Sequence, residues 1–335
     1  MPVPPIGEQH RIVTKVNELM TLCDQLEQQQ TDSNDTHQIL VSALLAALTS
    51  AADAKEFPQN WRRIADHFDT LFTTEASIDQ LKQTILQLAV MGKLVPQDPN
   101  DEPASVLLEK IAKENKGWMK EGMIKRGCPL SEIREEEKTY IVPDSWEWAR
   151  VGDIFRLMSG TSFDKEKELH SGAYLYLKVA DMNIEGNEFE IKNSSRYINP
   201  DSKELNALIP SGSIIFPKRG GAIATNKKRL VKTDLFADLN IMAITPFEGI
   251  SLDYAYRWLM GIDLAELNSG TSVPQINNKD IAPLVFPVPP LNEQCRIVAK
   301  VDELMALCDE LKARLNTAQS TKIQLADAIV EQSVG

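Results

Sequence analysis

Several residue types are scarce in this sequence, and each shortage removes a class of protein. There are four cysteines (Cys23, Cys128, Cys295 and Cys308) in 335 residues and no C-x-x-C pair. That is too few for a disulfide framework, so reduced thiols in a cytoplasm are expected. Four scattered histidines leave no His-rich metal site. Aromatic residues make up 6% of the chain, while Leu, Ala, Gln, Glu and Lys abound, a balance that favours long helices. No apolar run reaches the roughly 18 residues that a membrane span needs. Met1-Pro2-Val3-Pro4-Pro5 has neither the basic start nor the apolar core of a signal peptide. Neither G-x-x-x-x-G-K-[ST] nor G-x-G-x-x-G occurs, so ATP hydrolysis and dinucleotide binding are not expected of this chain. An Asn-Pro-Pro-aromatic motif of the kind used to methylate adenine is also missing. Glu136-x-Lys138 is half of a nuclease motif, but it lies in a charged stretch without a preceding strand and Asp. With no catalytic constellation in the sequence, a binding role is expected instead.

What is present is an ordinary globular composition, 43% hydrophobic and 25% charged. At roughly 100–200 residues per domain, two or three units are expected. The net charge of −12 would disfavour nucleic acid if it were evenly spread, but it is not. Residues 145–290 hold 16 Lys/Arg against 18 Asp/Glu, and the rest holds 20 against 30. Within 211–233 there are six basic residues (Lys218, Arg219, Lys227, Lys228, Arg229, Lys232) and no acidic one.

The strongest internal signal is a repeat. Pro2-Val-Pro-Pro-Ile-Gly-Glu-Gln-His-Arg-Ile-Val returns as Pro287-Val-Pro-Pro-Leu-Asn-Glu-Gln-Cys-Arg-Ile-Val, and 18 of 25 positions agree between 2–26 and 287–311. A solenoid would repeat every 20–50 residues, so two copies this far apart indicate a duplicated module around a large insert. Proline is excluded from helix interiors and disfavours helix in the residue before it, so each copy predicts a helix beginning after Pro5 or Pro290. Ile12, Val16, Leu19, Cys23 and Leu26, and again Ile297, Val301, Leu304, Cys308 and Leu311, recur at the 4,3 spacing of a coiled-coil seam. One stripe of an ordinary helical bundle would give the same pattern. We expect Ile12, Val16 and Leu19 to line one antiparallel seam with Ile297, Val301 and Leu304.

The first copy (1–30) is followed by a helical spacer over 31–116, with segments at 37–52, 60–72, 78–88 and 104–114, the third ended by Gly92. Residues 117–144 read as a polar linker. From Pro143 the character changes. Strands are predicted at 174–180, 213–217, 222–225, 229–231 and 239–245, with turns at Gly186-Asn187, Asn199-Pro200 and Gly220-Gly221 and a helix at 252–260. The fold class is therefore α+β. One mixed α/β domain, 145–287, is flanked by long helices that form an antiparallel coiled-coil-like spacer, and 288–335 closes the chain as the second helix.

The basic stripe, Phe216-Pro-Lys-Arg-Gly-Gly-Ala-Ile-Ala-Thr-Asn-Lys-Lys-Arg, reads as two short strands joined at Gly220 and Gly221, where backbone N–H groups can approach a phosphate. Lys218, Arg219, Lys227, Lys228 and Arg229 would supply sequence-independent attraction to DNA. Arg219 or Asn226 has the donor pattern to read a base edge. A solvated hairpin is the plainer reading of such a charge run. Thr271, Ser272 and Gln275, in a polar loop before the second repeat, extend the candidate DNA surface, as do Lys178 and Thr161.

Together these stretches resemble the specificity subunit of a Type I restriction–modification system. Residues 287–298 resemble the conserved helix start that follows a target recognition domain. Ser269-Gly-Thr-Ser-Val-Pro-Gln-Ile resembles the end of such a domain, and Trp146-Glu-Trp-Ala-Arg-Val-Gly-Asp-Ile its beginning. Ile78-Asp-Gln-Leu-Lys-Gln-Thr-Ile-Leu-Gln-Leu-Ala-Val-Met-Gly-Lys-Leu-Val-Pro-Gln resembles the central spacer helix. The resemblance implies a non-catalytic, cytoplasmic chain that reads double-stranded DNA. It also implies methyltransferase subunits using S-adenosylmethionine and motor-nuclease subunits using ATP and Mg2+, with none of these cofactors in this chain and no membrane contact. A full subunit carries two recognition domains, and this sequence carries one. It is thus expected to pair with a separate chain that supplies the other domain, to pair with a second copy of itself, or to be a non-functional truncated remnant. A helical scaffold or adaptor with a protein-binding α/β module is the alternative class.

Overall fold

A computed structural model describes residues 3–50, 57–120, 130–267 and 273–334. The helices are α1 (Ile6–Ser50), α2 (Phe57–Ala65), α3 (Phe68–Leu71), α4 (Glu75–Val90), α5 (Ala104–Lys120), α6 (Val151–Ile154), α7 (Leu252–Met260), α8 (Asn278–Ile281) and α9 (Leu291–Val334). The strands are β1 (Glu147–Arg150), β2 (Phe155–Ser159), β3 (Tyr174–Leu177), β4 (Glu190–Ile191), β5 (Tyr197–Ile198), β6 (Ser213–Pro217), β7 (Arg229–Val231), β8 (Leu235–Ala237), β9 (Ile241–Pro246) and β10 (Val285–Val288). Both repeat copies enter a helix at the residue after their second proline pair, as proline chemistry requires.

The chain forms two compact units. The first holds residues 1–52, 56–84 and 307–335. Its core joins Val41, Leu45 and Leu48 of α1 with Phe57, Ile64, Phe72, Ile78 and Leu81. Phe57, Trp61, Phe68 and Phe72 form a chain of ring contacts 5.2–5.6 Å apart through the α2–α3 turn. Pro58 sits inside the first turn of α2, where a missing N–H costs nothing, so the helix begins at Phe57, ahead of the expected start at 60. Helix α4 and the distal part of α9 run antiparallel. Lys82 pairs with Asp309 at 2.5 Å, and Lys312 with Glu75 at 3.0 Å and Asp79 at 3.6 Å.

The second unit spans 53–55 and 85–306. It contains a five-stranded sheet in the order β2-β9-β6-β7-β4, a three-stranded sheet β5-β3-β8 and a two-stranded ribbon β1-β10. Ile215, Val231, Ile241 and Ala243 of the larger sheet share one core with Leu177, Leu235 and Ala237 of the smaller, all fully buried. The ribbon brings the two ends of the α/β region together, Glu147 opposite Val288. Strands β6 and β7 and helix α7 occupy the ranges read from sequence. The strand expected at 222–225 is instead part of a 3₁₀ turn, Gly220–Thr225. Gly220 enters it at φ +72, and the Thr225 hydroxyl donates to the Ala222 carbonyl at 2.7 Å, closing the turn on itself.

Residues 117–120 continue α5, and 130–144 are tied down. Arg150, 4% exposed, donates to both carboxylate oxygens of Glu137 at 2.8 and 2.9 Å and to the carbonyls of Ser131, Glu132 and Pro283. The stretch read as a linker thus carries a strap across β1. The Arg150 guanidinium, helped by the Arg134 backbone N–H, holds the Glu137 carboxyl down at about 2.

The two repeat stripes meet opposite environments. Ile297, Val301 and Leu304 are 0% exposed, whereas Ile12, Val16 and Leu19 are 49%, 50% and 53% exposed. The stripe of 12–19 is thus exposed in the first unit, and that of 297–304 is buried in the second. The antiparallel partner of α9 is α4, and the first stripe faces solvent.

Two outcomes follow for chemical and acid denaturation. Leu304→Ala should cost about 2–5 kcal/mol, while Ile12→Ala should change stability by less than about 0.5 kcal/mol. The depressed Glu137 carboxyl contributes stability above its ordinary value of 4.5 that is lost as pH falls towards 2. Glu137→Gln should therefore flatten the acid limb between those values and leave the neutral-pH slope unchanged.

Candidate nucleic-acid interface

Three segments converge at one end of the five-stranded sheet. Strand β2 ends at Ser159 and runs into Gly160-Thr161, β6 ends at Pro217 and runs into Lys218-Arg219-Gly220, and residues 274–276 lie alongside. Arg219 pairs with Gln275 as an isolated antiparallel bridge. Gly220 N–H donates to the Pro274 carbonyl at 2.8 Å, and Ile276 N–H to the Lys218 carbonyl at 2.9 Å. The β8–β9 turn closes the group from the other side. Lys218 N–H donates to the Asn240 carbonyl at 2.7 Å, Thr161 N–H to that of Ala237 at 2.8 Å and Gly160 N–H to that of Ile241 at 3.0 Å. A side chain at Gly160 would stand 2.0 Å from the Asp238 carbonyl oxygen, so this close approach of backbones requires glycine.

Two cations face outward here. The Lys218 ammonium donates to the Ser159 hydroxyl at 2.8 Å and has no carboxylate partner among the described residues. Partial burial, with the neighbouring Arg219 charge, lowers its pKa. An arriving anion would favour its charged form and so oppose the shift. Arg219 is exposed, and Gly221 beside it has open space where a side chain would be. Gln275 is half-buried, its amide donating to Asn277 at 2.8 Å. Ser159 and Asn240 belong to this group yet were not singled out in the sequence, where neither carries a charge or motif.

The remaining candidates have other work. Lys228 is 1% exposed, and its ammonium donates to the Asn226 side-chain oxygen at 2.7 Å and the Ile262 carbonyl at 2.6 Å. Burial pushes its pKa down to about 8. It is an internal strut that cannot reach a phosphate. Asn226 takes the left-handed conformation, φ 51, at the end of the 3₁₀ turn. Its side-chain oxygen also accepts from Leu264 N–H at 3.0 Å, so its amide is committed to holding the turn. Arg229 donates to the carbonyls of Lys228 at 2.9 Å and Met182 at 3.4 Å, and burial lowers its pKa. Lys227 is half-buried and bonded to Asn183. Lys178 is held by both oxygens of Glu168, at 2.6 and 2.9 Å, in an ion-pair group with Arg196 and Asp181. Thr271 and Ser272 lie outside the described residues. The charge run thus divides: Lys218 and Arg219 are presented, while Lys228 and Arg229 are turned to neutral oxygens of the chain.

Among the described residues no group of three or more His, Cys, Asp or Glu side chains is placed to hold a metal ion. No helix among them is long and apolar enough to cross a membrane.

Comparison with known proteins places this geometry. The chain is 41% identical over its whole length to the Type I restriction enzyme EcoAI specificity subunit of Escherichia coli, of which it covers 58%. It is 36% identical over its whole length to the EcoEI specificity subunit of the same species, again covering 58%. The chain therefore spans little more than half the length of these relatives. A solved HsdS subunit from Thermoanaerobacter tengcongensis aligns with 88% of this chain and 57% of its own at 17% identity, with a TM-score of 0.48. Residues 143–318, which include the converging cluster and the first part of α9, match the family described as the Type I restriction modification DNA specificity domain. By that match over more than half of its length, the chain belongs to the Type I restriction–modification DNA specificity family.

Proposed function

We propose that this chain is a DNA-recognition component of a Type I restriction–modification assembly, with residues 145–287 as its target recognition domain. The observation that carries the reading is the outward-facing Lys218–Arg219 pair, braced by Thr161, Gln275 and the β8–β9 turn, inside the family-matched region. Lys218 supplies a point charge for a phosphate, and the exposed Arg219 fork has the geometry to grip a phosphate or a guanine edge. Gly220 and Gly221 let the duplex backbone come close to the turn. Lys227 stands at the margin of this surface. The helices of 1–30, 31–116 and 288–335 serve as the spacer that sets where the recognition domain lies along the duplex.

In this reading the chain itself performs no chemistry. Methyltransferase subunits would bring S-adenosylmethionine to adenine, and motor-nuclease subunits would bring ATP and Mg2+, all within the cytoplasm. The second half of a split target would be read by another recognition domain, carried either by a separate chain or by a second copy.

The test is binding of the assembled chain and methyltransferase subunit to duplex DNA over a salt series. A steep fall of affinity with salt is expected, and Lys218→Ala and Arg219→Ala should each lower the log–log slope by about 1. Lys178→Ala, whose charge is already matched by Glu168, should leave the slope unchanged. Salt-independent binding, or no binding by an intact assembly, would refute the reading.

A further inference from the structure

Two exposed apolar side chains stand beside the Lys218–Arg219 pair, and charge does not account for them. Among the described residues of 145–287, five large hydrophobic side chains are exposed: Leu169, Phe189, Leu205, Leu239 and Val273. Two of the five belong to the segments that converge on the cations. Leu239, 45% exposed, is the tip of the β8–β9 turn on one side, and Val273, 57% exposed, precedes Pro274 on the other. A single exposed leucine is ordinary on a protein surface. The setting of Leu239 is not.

Its turn is fixed from several sides. Asp238 N–H donates to the Leu177 carbonyl at 2.9 Å, and Ile241 N–H donates to the Asp238 carbonyl at 3.1 Å. Both oxygens of the Asp238 carboxylate are taken by Asn240, one by its backbone N–H and one by its side-chain amide, each at 2.9 Å. The one acid of the turn is thus engaged by its own neighbour. The carbonyls of Ala237, Asn240 and Ile241 accept from Thr161, Lys218 and Gly160. Turning Leu239 inward would break this set, so the leucine is held outward at a fixed place next to the cations.

The cations attract a polyanion, and the leucine must then meet something on it. In the major groove of a duplex, base edges show donors, acceptors and one apolar group, the C5-methyl of thymine. Leucine can bond to none of the donors or acceptors. Against a polar edge it would strip water and replace nothing. Against a methyl group, both apolar surfaces leave water together. Apolar wedges between stacked bases are a minor-groove device, whereas the Arg219 fork beside this turn matches the guanine edge of the major groove.

We propose that Leu239 is a specificity-determining residue that reads the C5-methyl group of a thymine in the major groove. The inference rests on the DNA reading above and names one base contact of the same surface. It adds what Lys218 and Arg219 cannot supply, since neither distinguishes a thymine by its methyl group.

The test uses the chain assembled with the methyltransferase subunit. Duplexes with a randomised central stretch are selected on this assembly. Each thymine of the selected sequence is then replaced in turn by deoxyuridine, which lacks only the methyl. At one position uracil should weaken binding by the original chain about fourfold, the worth of one buried methyl group. Leu239→Ala should show no loss at that position, and Leu239→Met, which keeps an apolar contact, should retain most of it. Both variants should melt within about 2 °C of the original, because the side chain lies outside the core. If uracil weakens the original and Leu239→Ala equally at every position, or nowhere, the proposal fails while the DNA reading stands. If Leu239→Ala instead fails to assemble with the methyltransferase subunit, the leucine is a protein contact and the proposal is overturned. An intact assembly that selects no duplex removes the DNA reading, and this inference with it.

Discussion

The hold on Gln294 governs much of the second unit. One buried carboxamide satisfies the Ser251 N–H that opens α7, the Gly249 carbonyl in the turn before it, and the Pro289 carbonyl at the end of β10. Without it, buried backbone groups from three elements would lose their partners, at a cost of order 1–3 kcal/mol each. Because β10 pairs with β1, and Arg150 at the end of β1 gathers the 130–144 strap, the same junction fixes both ends of the α/β region. Burial raises the pKa of adjacent Glu293, even though the Trp146 indole and Gln97 amide favour its charged form. The start of α9 is thereby held by polar groups to the turn that opens α7, and its apolar stripe beyond is buried.

The basic turn obeys a division of labour that charge counting alone misses. Six cations without an acid nearby would repel one another if all were presented together. The chain resolves this by burying Lys228 against neutral oxygens, turning Arg229 to backbone carbonyls, leaving Lys218 half-buried on the Ser159 hydroxyl and exposing Arg219. Lys228 helps to hold the end of the 3₁₀ turn through Asn226, whose side-chain oxygen also accepts from Leu264 N–H. An electropositive feature can thus exist on a chain of net charge −12.

Much of this was legible in the residues. Proline placed the starts of both long helices to the residue, and the apolar run of β6 gave its range because burial on both faces demands a nearly continuous hydrophobic sequence. Three features were not legible. Residues 222–225 have strand-like composition, but the positive φ of Gly220 sends the backbone into a tight turn, a choice made by geometry across the chain. The strap at 130–144 is rich in charged residues, and its long-range bonds to Arg150 distinguish it from a linker. The two stripes Ile12–Leu19 and Ile297–Leu304 are identical at their apolar positions, so periodicity could not say that one is covered and the other not. For the site, sequence found the cations and not which of them are free, since that depends on neutral partners such as Ile262 and Asn183 far along the chain.

The account turns on the claim that one sequence occupies two environments in this chain. Residue-resolved amide exchange of the isolated protein measures this directly. The amides of 297–304 should exchange only through opening of the second unit, and those of 12–19 at least about 100-fold faster, as in an uncovered helix. Equal protection of the two stretches would contradict the account, because it would mean that the first copy is covered as the second is.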